Sequence, residues 1–322
     1  MSNPFDLTEN GVYQAWRTAK LRRWPSCAEA LRVPVARLAD PSPAELEAIT
    51  DRLDRCNLAL VACPDPGQVE PRALLAFGRR LGLERLDNNL CADEQGVSAI
   101  EVRTTGGVSE YVPYTDRPLS WHTDGYYNAA GSEVRAWTLF CVRDAVDGGE
   151  NALYDPEIAY LQLRDEDPGL VRALMDPEAL RIPANVQGDK VLRPASTGPV
   201  FSVIGGRLHM RYSARARNVE WTSSPALATA RERLTRLLSQ PGVYMFRHKL
   251  RPGEGYVTNN VLHNRAGFTQ LGGAGRLLLR ARYLDRVETP SPSEDADQLP
   301  SRHMIGSPPA TRASRDAPVS KA

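Results

Sequence analysis

Gly275-Arg276-Leu277-Leu278-Leu279-Arg280-Ala281-Arg282-Tyr283 carries an alternation that only an extended chain explains. Successive side chains of a strand point to opposite faces. Arg276, Leu278, Arg280 and Arg282 therefore share one side, and Leu277, Leu279 and Ala281 share the other. Three guanidiniums on one face of an apolar strand have two readings. They face solvent and pair with surface acids, or they face the inside of a barrel and require an anionic partner such as a dicarboxylate. On the second reading this strand walls a ligand site inside a β-structure.

The chain upstream reads as further short strands, at Asn57–Cys63, Val97–Arg103, Glu133–Val142, Val200–Ile204, Leu208–Tyr212, Gly242–His248 and Gly255–Asn259. Gly205-Gly206 supplies a hairpin turn. Helical signals are fewer. Ser42-Pro43-Ala44-Glu45 caps a helix with Leu46, Ile49 and Leu53 on one face, and Pro71–Leu81 predicts a second. Residues 156–180 read as a helical insert and Pro225–Ser239 as an amphipathic helix. Many short strands with a few helices predict a mainly β chain, a sandwich or jelly-roll core with helical decoration. The core domain is expected over 45–286, with segment 1–44 packed on it through Trp16 and Trp24. Residues 287–322 hold six Pro, six Ser and no aromatic residue, so a disordered tail is expected there.

Composition narrows the function. A net charge of +1 over 322 residues gives no global field toward nucleic acid or an anionic membrane. Met1-Ser-Asn-Pro-Phe-Asp-Leu7 has no export pattern, and the apolar run Leu58–Cys63 is far too short to span a bilayer. Five cysteines without a C-x-x-C pair imply reduced thiols and a cytoplasmic location.

Chemistry concentrates in two further segments. In Leu119-Ser-Trp-His122-Thr-Asp124-Gly-Tyr-Tyr127, positions i and i+2 of an extended chain can offer an imidazole and a carboxylate to one ion. Alone the pair is unspecific: five histidines and 39 acids in this chain give roughly 0.6 such pairs by chance. His263, in Thr258-Asn-Asn-Val-Leu-His263-Asn-Arg-Ala-Gly-Phe268, raises the specificity. Two His and one carboxylate form the facial triad of non-haem iron oxygenases, with three open positions on the metal.

The ordered string resembles the 2-oxoglutarate-dependent dioxygenases of the taurine dioxygenase and 2,4-dichlorophenoxyacetate dioxygenase type, particularly their γ-butyrobetaine hydroxylase branch. It comprises His122-x-Asp124, the turn Gly148-Gly149, His263, and Arg276 thirteen residues later. The resemblance implies a double-stranded β-helix (jelly roll) and iron(II), Fe(2+), held by His122, Asp124 and His263. It implies that Arg276 binds 2-oxoglutarate and that Arg280 binds the anionic group of a small substrate, anionic or amino-acid/betaine-like. Asn151 stands where the family has a cosubstrate-binding Thr, and its amide can donate a similar hydrogen bond. Asp124 favours hydroxylation over halogenation, with O2 consumed and succinate and CO2 released. Family relatives are often dimers or tetramers, so a homo-oligomer is expected. Two rivals share the ligands: a non-catalytic 2-oxoglutarate sensor, and a zinc hydrolase. The hydrolase lacks an evident general base and leaves Arg276 and Arg280 unexplained.

Overall fold

The computed structural model describes residues 3–87, 96–103, 111–240, 242–270 and 275–289. The expected tail falls outside the described residues from position 290 onward. Helix α1 (Asn10–Arg22) precedes strand β1 (Arg32–Pro34), helix α2 (Pro43–Cys56), strand β2 (Leu58–Ala62), helix α3 (Pro71–Arg80) and strands β3 (Val97–Ile100) and β4 (Leu119–His122). Strands β5 (Ala136–Arg143), β6 (Asp147–Gly148) and β7 (Asn151–Tyr154) lead into helices α4 (Pro156–Glu166) and α5 (Pro168–Leu174). Short strands follow: β8 (Leu180–Ile182), β9 (Asn185–Gln187), β10 (Lys190–Arg193), β11 (Ser196–Gly198), β12 (Phe201–Ile204), β13 (Arg207–Met210) and β14 (Glu220–Trp221). Helix α6 (Pro225–Ser239) then precedes β15 (Met245–His248), β16 (Glu254–Thr258), β17 (Leu262–Arg265), β18 (Phe268–Thr269) and β19 (Leu277–Tyr283).

Two sheets organise the molecule. One has six strands in the order β1-β2-β16-β5-β19-β3, and the other has four in the order β15-β7-β17-β4. Helices and strands take comparable shares of the described chain, so the architecture is mixed rather than mainly β. The difference lies in the helices, which form two packed layers of their own. Helices α2 and α3 cover the outer face of the six-stranded sheet, where Ile49, Leu53, Leu74 and Phe77 meet Phe140, Val257, Leu279 and Ala281. Helices α1, α4, α5 and α6 gather around a second core containing Trp16, Ile158, Leu163, Leu174, Leu234 and Phe201.

Between the sheets, Trp137, Leu139, Cys141, Tyr256 and Leu278 meet Leu153 and Phe246. The alternation of β19 is thereby resolved. Leu279 and Ala281 pack against helices, and Leu278 faces the four-stranded sheet, so Arg280 and Arg282 on its side point inward, both largely buried.

Local chemistry fixes several boundaries. Ser42 and Glu45 form a reciprocal capping box at the start of α2. The helical insert is two helices because Pro168 cannot donate to the preceding turn. Asp167 ends α4 and caps α5 by accepting from the Gly169 amide. Helix α1 is docked by Tyr13 and Trp16 and by Lys20, whose ammonium lies 2.7 Å from Asp155 and 2.5 Å from Glu157 with all three buried. At Gly148, φ is +70° and a Cβ would sit 2.2 Å from the Gly267 carbonyl oxygen, so only glycine permits β6 to pair with β18. Among the described residues, no helix is long and apolar enough to cross a membrane.

Candidate metal centre

His122 closes β4 and His263 lies in β17, and the antiparallel register sets them directly opposite one another. Their ring centroids are 4.2 Å apart. Each ring is oriented by its own strand: His122 Nδ1 lies 2.9 Å from the Ser120 carbonyl and His263 Nδ1 lies 3.0 Å from the Val261 carbonyl. A ring whose Nδ1–H donates to a carbonyl keeps its Nε2 lone pair for a metal. Both Nε2 atoms face Asp124, whose Oδ1 is 3.6 Å from that of His122 and 3.8 Å from that of His263.

These three side chains are buried, and their donor atoms all lie within 4.8 Å of one another. An ion with bonds of about 2.1 Å sets adjacent donors about 3 Å apart, so the observed spacing closes on a metal by small side-chain rotations. The donor set, two neutral imidazoles and one carboxylate on one side with an open cleft on the other, suits a ferrous ion. Burial, followed by the neighbouring His122, lowers His263 to about 3 despite the opposing pull of Asp124. Burial alone would raise the Asp124 carboxyl. Arg280 foremost, then His122, Arg282 and His263, outweigh that and hold it well below the usual carboxylate range. His263 and Asp124 are thus held in the forms that can bind a metal.

The Asp124 backbone is held by a residue that the sequence reading overlooked. Asn260 adopts a left-handed conformation, φ +56°, at the turn between β16 and β17. Its Oδ1 accepts from the Asp124 amide at 2.8 Å, and its Nδ2 donates to the carbonyls of Asp124 at 3.0 Å and Val134 at 2.6 Å. The signal was Asn259-Asn260 just before His263, since Asn tolerates this conformation.

Arg280 lies beside the triad: its Nη1 donates to Asp124 Oδ2 at 3.1 Å, and its Nε has no hydrogen-bond partner among the described residues. Arg276 sits apart from that cleft, just before β19. It is buried, its guanidinium carbon lies 5.0 Å from the Phe268 ring centroid, and its Nε is 3.5 Å from where a Cβ on Gly149 would lie. Among the described residues no carboxylate pairs with it, and burial lowers it to about 10. A buried cation without a counter-ion fits a dicarboxylate ligand. Asn151 is placed differently from the other expected site residues. Its Nδ2 donates to the Asn264 carbonyl at 2.9 Å and joins β7 to β17, while its Oδ1 is buried without a partner among the described residues.

A cleft of about 150 Å³ opens onto His122 and Asp124, lined also by Tyr126, Tyr127, Ser213, Arg215, Arg280 and Arg282. Of the aromatic residues near the first motif, Tyr126 and Tyr127 therefore line the cleft, whereas Trp137 packs against His263 at 4.7 Å between centroids. Arg211 follows β13 but does not face solvent. It is buried and donates to the carbonyls of Leu180 and Ser196, because the three-stranded sheet β11-β8-β14 closes over it.

The comparisons with known proteins agree with this geometry. The model of the taurine catabolism dioxygenase TauD, TfdA family matches residues 18–282. A protein named uridine-5'-phosphate dioxygenase from Amycolatopsis sp is 32% identical over 171 residues, covering 51% of this chain and 60% of that relative. The match thus spans less than two thirds of the relative's length. A solved asparagine oxygenase in complex with Fe(II), 2S,3S-3-hydroxyasparagine and succinate shares the fold with a TM-score of 0.53 at 16% identity, covering 85% of this chain and 91% of that one. The non-heme iron oxygenase OrfP in complex with Fe and alpha-ketoglutaric acid gives a TM-score of 0.53 at 15% identity over the same shares. The chain belongs to the taurine catabolism dioxygenase TauD, TfdA family.

Proposed function

We propose that this chain is an iron(II)- and 2-oxoglutarate-dependent dioxygenase that hydroxylates a small anionic substrate. The observation that carries the proposal is the meeting of His122, Asp124 and His263 across β4 and β17, together with a buried Arg276 that no carboxylate pairs with among the described residues. On this reading the two facing sheets are the halves of a double-stranded β-helix over residues 45–286, and segment 1–44 packs on it.

The residues divide the work as follows. His122, Asp124 and His263 would hold the iron on one face and leave the cleft side open. Arg276 would hold the distal carboxylate of 2-oxoglutarate by charge-assisted hydrogen bonds, and the buried Asn151 amide would orient the β7–β17 floor. The bound iron and cosubstrate supply the oxidising power, with O2 and 2-oxoglutarate converted to succinate and CO2 as one oxygen atom enters a C–H bond of the substrate. Trp137, Leu139 and Leu153 exclude water from the inner side of the centre.

The rival hydrolase reading needs a general base in the cleft. Among the described lining residues the only carboxylate is Asp124, already a ligand candidate, and this favours the oxygenase. The sensor reading shares every ligand and differs only in turnover. The test is anaerobic addition of iron(II) and 2-oxoglutarate, followed by a panel of amino acids, betaines, sulfonates and phosphate esters in air. A weak visible charge-transfer band and substrate-dependent succinate are expected. A band without succinate from any compound supports the sensor, and no band with iron defeats both iron readings.

A further inference from the structure

The cleft beside the triad combines apolar residues (Val112, Pro113, Pro118 and Leu119) with a group of hydrogen-bond donors. Arg215, Arg280 and Arg282 bring guanidiniums to its wall, and Ser120, Thr123 and Ser213 bring hydroxyls. A fourth guanidinium, Arg193, lies 5.6 Å from the Tyr127 ring centroid, and Arg282 lies 5.7 Å from the same ring. Opposing carboxylates are few among the described residues. Asp124 faces Arg280, and Asp87 pairs with Arg282. Among the described residues, Arg193 donates only to the carbonyls of Pro183 and Pro194. The Arg215 side chain lines the cleft without an ion pair or hydrogen bond among the described residues.

Charge balance then discriminates between substrate classes. A divalent ion with Asp124, and a cosubstrate dianion with Arg276, together come to zero net charge. Asp87 neutralises Arg282. Among the described residues, Arg193, Arg215 and Arg280 remain as excess positive charge, which a zwitterion does not balance. An amino acid or betaine-like zwitterion also needs an acceptor for its cationic end, and the only lining carboxylate among the described residues is committed to the metal face and to Arg280. A phosphate monoester brings nearly two negative charges and three acceptor oxygens on one small group.

We propose that the molecule oxidised is a phosphate monoester taken in as its dianion, with Arg215 as phosphate anchor, Arg193 as supporting charge, and the edge-to-face pair Tyr126–Tyr127 flanking its carbon skeleton. This rests on the oxygenase reading and names its substrate class.

The test uses anaerobic protein loaded with iron(II) and 2-oxoglutarate, titrated by calorimetry and by perturbation of the visible band. The probes are uridine 5'-monophosphate, ribose 5-phosphate and phosphoserine, their dephosphorylated counterparts, and L-asparagine and γ-butyrobetaine. At least one phosphate ester should bind 10-fold or more tighter than its dephosphorylated form and yield succinate in air. Its affinity should fall as pH drops below about 6, where the ester becomes a monoanion. Arg215→Gln should erase at least 10-fold of that preference while leaving 2-oxoglutarate binding intact, and Arg215→Lys should recover part of it. The proposal is overturned if no ester outbinds its dephosphorylated form, if Arg215→Gln leaves the preference unchanged, or if a zwitterion outbinds every ester. A normal band without phosphate preference sinks this proposal and leaves the oxygenase reading standing. Phosphate preference in a chain that never gives the band sinks the oxygenase reading, and with it the claim that the ester is oxidised.

Discussion

Arg280 Nη1 donates to both oxygens of Asp124, at 3.1 Å to Oδ2 and 3.3 Å to Oδ1, while Oδ1 also faces the imidazoles of His122 and His263. The guanidinium thus acts on the proposed metal site through the carboxylate, which it keeps ionised and oriented.

Removing that guanidinium should weaken metal binding without touching a ligand. Arg280→Gln is expected to lower iron affinity by about 10- to 100-fold, the usual effect of losing an outer partner of a metal ligand. Arg280→Lys should retain part of it, because the charge persists and the fork geometry does not. Competition with a chelating indicator measures both. Unchanged iron affinity in Arg280→Gln would show that Oδ2 does not need its partner.

Arg276 should separate stability from function. Its guanidinium is buried without a paired carboxylate among the described residues, and burial has already lowered it to about 10. Arg276→Met is expected to leave thermal stability of the apoprotein unchanged or raised by about 1 kcal/mol, since an uncompensated buried charge is removed. The same change should raise the KM for 2-oxoglutarate by about 100-fold. A destabilised variant with normal cosubstrate affinity would place the residue among purely structural arginines.

Asn260 offers a test of the backbone clip. Asn260→Ala loses three buried hydrogen bonds and forces a Cβ-bearing residue without side-chain compensation into the left-handed region. A loss of about 2–4 kcal/mol is expected. Asn260→Gly relieves the backbone strain alone and should cost about 1 kcal/mol less. Denaturant midpoints rank the three proteins; equal stability of the alanine and glycine variants would mean that the φ of +56° carries no strain.

Acid should destabilise the fold through His209. Burial first, with Arg135, Arg286 and Arg211 adding to it against the pull of Glu133, lowers this imidazole to about 4. Its unfolded value is near 6.5, so between those values the unfolded chain binds a proton that the native chain refuses. Stability from this group is therefore complete above about pH 6.5 and is lost as pH falls toward 4, with a slope of up to about 1.4 kcal/mol per pH unit. His263, lowered to about 3 in the metal-free protein, acts in the same direction. His209→Gln should flatten the profile, and an unaltered slope would assign the acid sensitivity elsewhere.

The sequence made some of this legible and hid the rest for identifiable reasons. Helices α2 and α6 could be read from caps and periodic leucines because both signals are local. Which residues of β19 share a face could be read, because alternation needs no knowledge of the partner strand. Whether that face points inward could not, since this depends on the four-stranded sheet across from it. Helix α1 could not, since no side chain caps it and its buried face includes Lys20, a cation that belongs inside only because Asp155 and Glu157 lie across from it. Strands β8 to β11 are short, largely unburied outside β8, and held by pairing rather than by intrinsic pattern. Asn260 owes its role to the peptide of a residue 136 positions away, which no local window reveals.

The cross-strand pairing of His122 with His263 has a consequence for biosynthesis. A nascent chain that has left the ribosome through β16 already carries His122 and Asp124, yet it lacks His263. The emerging β17 must first dock between β4 and β7. If the three side chains bind a metal as proposed, cellular metal selection acts on an essentially finished fold, after the polypeptide has lost most of its freedom to be moulded by whichever cation arrives first.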